Sequence, residues 1–112
     1  MLIDWERLRE LCQEIGADDF NEIIEVFLDE VAAAIQGLDP RADLTALEGQ
    51  LHFLKSSSLN LGFAGLASVC KTGECLAASG CRPVDQIATI PGFFQESLNE
   101  FRAGRTNIYT AA

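Results

Sequence analysis

Apolar residues recur at helical spacing along almost the whole chain, and the alternation typical of strands is nearly absent. Trp5, Leu8, Leu11, Cys12 and Ile15 share one face of a helix over roughly Asp4 to Ile15, which Gly16 stops. A second helix starts at an Asp18 or Asp19 cap and runs to about Leu38, with Phe20, Ile23, Ile24, Phe27, Val31, Ile35 and Leu38 inward. Its acidic first turn suits the helix dipole, and Asp39-Pro40 ends it. A third helix is capped by Asp43 and reaches about Leu61. Its Leu44, Leu47, Leu51, Leu54, Ser58 and Leu61 alternate spacings of three and four, the seam of a bundle. After Gly62, a fourth runs from Phe63 or Ala64 to Ser79, with Leu66, Val69, Cys70, Gly73, Leu76 and Ala77 inward. A fifth opens at Pro83, a favoured first-turn residue, and ends near Gly104. Pro91-Gly92 lies inside it, and the lost hydrogen bond and ring clash predict a kink or a break there. Phe94, Leu98 and Phe101 form the inward face beyond.

Five helices with short links predict an all-α fold, an antiparallel four-helix bundle with an additional short N-terminal helix across one end or side. Residues 1–104 form one domain and 105–112 a flexible tail. Such a fold hosts many functions, so function has to come from a site.

Composition narrows the classes. Apolar residues make up 48% of the 112 and charged residues 22%, enough for one packed core and too apolar for a disordered chain. No apolar run approaches membrane-spanning length. The start, Met-Leu-Ile-Asp-Trp-Glu, lacks the basic region and cleavage site of a signal peptide, so a cytoplasmic location is expected. The net charge is −9, and it is uneven: residues 1–48 carry 13 acids and 3 bases, residues 49–112 carry 4 and 5. The acidic half would repel a polyanion, which disfavours nucleic acid and favours a partner with a basic or mixed surface. Cys12, Cys70, Cys75 and Cys81 form no C-x-x-C pair, and a single histidine accompanies them. They read as small, buried, reduced hydrophobes, with a zinc site or a regulatory disulfide as the alternatives, and no metal site is expected. A monomer is expected, because one bundle uses up the apolar residues.

His52 is the only histidine. On the third helix it points well away from the leucine seam, at about 100° per residue, with Thr45, Glu48, Gly49, Lys55, Ser56 and Leu59 on its face. A solvent-facing neutral imidazole is a good nucleophile near its ordinary pKa of about 6.5. To accept a phosphoryl group it needs a cation nearby, which Lys55 one turn on supplies while favouring the neutral ring. It also needs room for a bulky donor, which Gly49 and Ser56 leave. Glu48 either orients the other ring nitrogen or is a solvated carboxylate, and with Gly49, Phe53, Ser56 and Leu59 it is expected on the docking surface. Phe53 and Leu59 either flank His52 as a docking patch or are isolated surface residues.

The run His52-Phe53-Leu54-Lys55-Ser56-Ser57-Ser58-Leu59-Asn60-Leu61-Gly62 resembles the signature H-x-L-K-G-S-[small]-x-x-L-G of histidine-containing phosphotransfer (HPt) domains. The upstream Phe20…Val26-Phe27-Leu28 and downstream Leu66…Cys70…Glu74 runs are also similar to that family, so the resemblance covers about residues 18–80. It implies an elongated four-helix bundle with His52 as phospho-acceptor through Nε2, Lys55 as assisting cation and Gly62 as a structural turn residue. The implied partners are receiver domains of response regulators and a hybrid sensor kinase. No cofactor is expected on this chain; Mg²⁺ would belong to the receiver. One departure stands on the docking face: the family usually has Gly where this chain has Ser56.

Without a Gly-rich nucleotide loop, ATP-dependent kinase activity is not expected, and the chain reads as a phosphocarrier. The dimerisation hairpin of a sensor kinase also presents a helical histidine, but Ser56-Ser57 lacks the proline step that follows it there. The other alternative is an HPt-like module that binds receivers without relaying phosphate, which the Ser56 departure keeps open.

Overall fold

Asp4 opens the first helix, α1 (Trp5–Ile15), its carboxylate accepting the Arg7 amide at 3.1 Å. The computed structural model describes residues 1–108. Only Gly16 separates α1 from α2 (Ala17–Gln36). Gly16 is itself the N-cap, so Asp18 and Asp19, the expected caps, lie in the first turn and act through the dipole alone. Asp43 caps α3 (Leu44–Asn60) by accepting the Ala46 amide at 2.8 Å, as the sequence predicts. α4 (Ala64–Ala78) and α5 (Val84–Ala103) complete a helical bundle with an extra N-terminal helix, and no strand occurs among the described residues.

The seam of α3 is buried as its spacing requires: Leu47, Leu51, Leu54 and Ser58 are almost fully enclosed. Leu51 and Leu54 share one core cluster with Phe20, Ile24, Leu28 and Val31 of α2, Leu66 and Cys70 of α4, and Ile90 and Phe101 of α5. Each large side chain so enclosed stabilises the fold by about 1.5–3 kcal/mol relative to exposure. α3 and α4 form the most extensive helix pair. Gly73 permits their close approach, since a β-carbon there would lie 3.0 Å from a Leu51 methyl.

α1 is tied to the turn between α3 and α4. The Asp4 amide donates to the Gly62 carbonyl at 2.7 Å, and Arg7 donates to the Asn60 carbonyl at 3.2 Å and to Asn60 Oδ1 at 2.7 Å. Gly62 has φ +73°, and a β-carbon there would sit 2.6 Å from the Asp4 carbonyl oxygen. The turn thus needs glycine for its backbone and for the strap that crosses it. At the opposite end, Arg82 donates to the Pro40 and Ala42 carbonyls, both at 2.7 Å, and ties the α4–α5 link to the α2–α3 link.

Three expectations are corrected. Of the kink or break expected at Pro91-Gly92, the break does not occur: α5 is one continuous helix through Pro91. Pro91 and Gly92 lie on the solvent side, while Ile87 and Ile90 before them and Leu98 and Phe101 after them pack on the core, so burial holds both halves in one helix. The flexible tail does not begin at 105. Arg105–Ile108 form a 3₁₀ turn whose Ile108 is buried, and Arg105 donates to Asn21 Oδ1 at 2.7 Å and stacks on the Phe101 ring. Residues 109–112 of that expected tail lie outside the described residues. Finally, only two of the four free cysteines are buried. Cys12 and Cys70 sit in the core, where burial pushes both thiols up, that of Cys70 to about 12. Cys75 lies on the outward face of α4 and Cys81 beyond its end, and both are exposed.

Candidate functional site

The helical angle that buries Leu51 and Leu54 turns His52 outward between them, and its side chain is 61% exposed. Nδ1 of the ring lies 2.7 Å from Glu74 Oε2 on α4. The other oxygen of that carboxylate, Oε1, lies 2.7 Å from Lys55 Nζ. The Lys55 ammonium, then the hydrogen bond with His52, hold the Glu74 carboxyl below its ordinary value against the opposing effect of burial. An ionised carboxylate only accepts, so Nδ1 carries the proton of the neutral ring and its lone pair stands on Nε2. The triad therefore leaves the Nε2 lone pair unengaged on an imidazole oriented by Glu74.

The surroundings leave that nitrogen accessible. Nothing lies within 4 Å of a β-carbon built at Gly49, one turn before His52, and Ser56, one turn after, is exposed. Phe53 is about half exposed and lines a groove of about 560 Å³ with Ala34, Gly37, Ala46 and Gly49, on the α2 side of the imidazole. Leu59, also exposed, lines a second groove of about 250 Å³ between α3 and α4. The two apolar residues thus stand on different sides of His52, each with its own depression. Among the described residues no three His, Cys, Asp or Glu side chains come together as metal ligands, and no helix is long and apolar enough to cross a membrane.

A bundle with an oriented, outward histidine at mid-helix is the architecture the His52 motif implies, and a family model for the Hpt domain matches residues 22–104. The chain belongs to the Hpt domain family. Hpt domains serve histidine phosphotransfer in two-component phosphorelays, as phosphocarriers and not as kinases. No curated protein and no solved structure matches the chain.

Within this Hpt domain the expected site residues divide. His52 and Lys55 meet through a shared carboxylate, and Gly49, Phe53, Ser56 and Leu59 surround them on the open face. Gly62 stands apart, at the α3–α4 turn. Glu48 does not orient the ring: the partner of Nδ1 is Glu74. The reason is the helix pair. A residue one turn away on the same helix reaches along the axis, whereas Glu74 on the facing helix points straight across the interface at the imidazole. The sequence offers two signals for it: Glu74 is the only acid on α4, and it closes the Leu66…Cys70…Glu74 run similar to the family. Its spatial partner, 22 positions earlier, becomes evident once α3 and α4 are paired.

Proposed function

We propose that His52 accepts a phosphoryl group from the aspartyl phosphate of a receiver domain and passes it to an aspartate of a second receiver. The observation that carries this reading is the Glu74 bridge, which holds the Nδ1 proton, orients the ring and leaves Nε2 free beside open space. The Nε2 lone pair attacks phosphorus in line. The N–P bond forms as the P–O bond to the receiver's carboxylate breaks, and that carboxylate leaves with the electron pair. The product ring keeps its Nδ1 proton and carries positive charge, which the Glu74 carboxylate balances at 2.7 Å. Lys55 acts chiefly by fixing that carboxylate, and adds positive charge one turn from the arriving anion. In the reverse step an acceptor carboxylate attacks the same phosphorus and the neutral imidazole leaves. Any divalent cation belongs, in this reading, to the receiver. The chain works as a cytoplasmic monomer between a hybrid kinase and a response regulator.

The test is transfer from a phosphorylated receiver in the presence of Mg²⁺. We expect acid-labile, base-stable phosphate on the wild-type chain and none on His52→Gln. Equal label on the variant would overturn the assignment. Binding of receivers with no label on the wild type would mark the chain as a module that docks without relaying.

A further inference from the structure

Both lysines of the chain, Lys55 and Lys71, line the same groove of about 250 Å³, with Leu59, Ala64, Ala67 and Ser68 as its other walls. The His52–Glu74 bond sets the level of the antiparallel α3–α4 pair. In that register Lys55 and Lys71 stand opposite each other, three residues or about 4.5 Å along the axis beyond the imidazole. Their ammonium groups are not equivalent. Lys55 is held by Glu74 at 2.7 Å, and its side chain is 24% exposed. Lys71 is exposed, and among the described residues no hydrogen bond or ion pair holds it. Glu74, three positions on, is the only acid on the helix of Lys71, but its carboxylate is turned to His52 and Lys55, and no ion pair joins it to Lys71. α4 offers no other acid, and Glu48 is the only acid on α3, seven residues or about 10 Å along the axis from the Lys55 level. The arginines whose contacts are resolved serve elsewhere: Arg7 and Arg82 hold links, and Arg105 holds the C-terminal turn. An unneutralised cation therefore stands beside the phosphotransfer face of a chain of net charge −9.

We infer that Lys71 is a partner-specificity residue. It receives a carboxylate side chain of the docking receiver in the groove it shares with Lys55, and so draws in and orients the receiver over His52. The chemistry of the groove favours an acidic side chain: an apolar floor of Leu59, Ala64 and Ala67 takes the aliphatic stem, and the free ammonium and the Ser68 hydroxyl meet the charge. The inference rests on the phosphotransfer reading for the identity of the partner. It goes further in assigning a residue of α4, outside the His52 motif, to the contact.

Two donors separate contact with the partner from action on the phosphoryl group. Phosphoramidate labels the imidazole without any docking surface, whereas a phosphorylated receiver needs one. With a receiver that serves the wild type, Lys71→Glu should lower kcat/KM for transfer at least tenfold and weaken receiver binding by a similar factor. Phosphoramidate labelling of His52 should stay within twofold of wild type. Lys71→Arg should retain most of the transfer rate, and Lys71→Glu should flatten its dependence on salt. Wild-type transfer and binding by Lys71→Glu would overturn the inference. So would an equal loss with phosphoramidate, since Lys71 would then act on the phosphoryl group itself. If the wild type binds a receiver but takes no phosphate, weaker binding by Lys71→Glu still upholds the contact while the relay reading falls.

Discussion

At the scale of single residues, the site is a division of labour around one carboxylate. Glu74 fixes the tautomer of His52 with one oxygen and is fixed by Lys55 through the other. Glu74→Gln keeps an oxygen that can accept from Nδ1 but removes the charge that, in the proposed relay, balances the phosphorylated ring. Phosphoryl transfer should slow about tenfold, and Glu74→Ala, which frees the ring as well, should slow it more. Single-turnover transfer from a phosphorylated receiver measures both, and an unchanged rate in Glu74→Gln would show that the charge is idle. The same carboxyl gives a pH dependence of stability. Its folded pKa lies below the ordinary 4.5, so the stabilisation is present above that value and is lost as pH falls through the depressed one. Urea midpoints for wild type and Glu74→Gln should converge on acidification below about pH 4.5. A constant difference down to the acid limit would contradict the shift. His52 and Lys55 were legible in the sequence because they lie one turn apart on one helix, where periodicity alone brings them together. Glu74 stood in a run similar to the family, but its contact with His52 was not legible, because it runs across a helix pair.

At the scale of elements, the helices follow from local signals, and the exceptions have identifiable causes. Asp4 and Asp43 cap because each can fold its carboxylate back on an amide three residues ahead. Pro91 fails to end α5 because burial on both sides outweighs one missing hydrogen bond. The α3–α4 turn is the least replaceable link. Gly62→Ala places a side chain at φ +73° and against the Asp4 carbonyl, which itself belongs to the strap from α1. The left-handed backbone alone costs about 1–2 kcal/mol, and displacing the strap adds to it. The melting temperature should fall by at least roughly 4 °C. Thermal unfolding followed by circular dichroism tests this, and a change within 1 °C, about the resolution of such a melt, would mean that the turn relaxes freely.

At the scale of the whole molecule, chain ends and links are fastened from a distance. Arg7 holds α1 to the end of α3, Arg82 joins two links, and Arg105 with Ile108 brings the last described residues back onto the bundle. Ile108→Ala should cost about 2 kcal/mol, the lower end for a buried aliphatic because the site is terminal and can collapse. Guanidinium unfolding measures it, and a cost under about 0.5 kcal/mol, the scale of an ordinary surface substitution, would show that the C-terminal turn contributes no core.

By itself the sequence determined the helices, their inward faces, the outward placement of His52 with Lys55, and the family. All of these depend on spacings of three and four along one helix or on a contiguous motif. The tertiary structure alone decided that Glu74 holds the imidazole, that α5 survives its proline, that Ile108 is core, and that two cysteines face solvent. It also decided that Lys71 stands opposite Lys55. These depend on which helix faces which, at what level and how closely, and that register is set by packing between segments far apart in the chain.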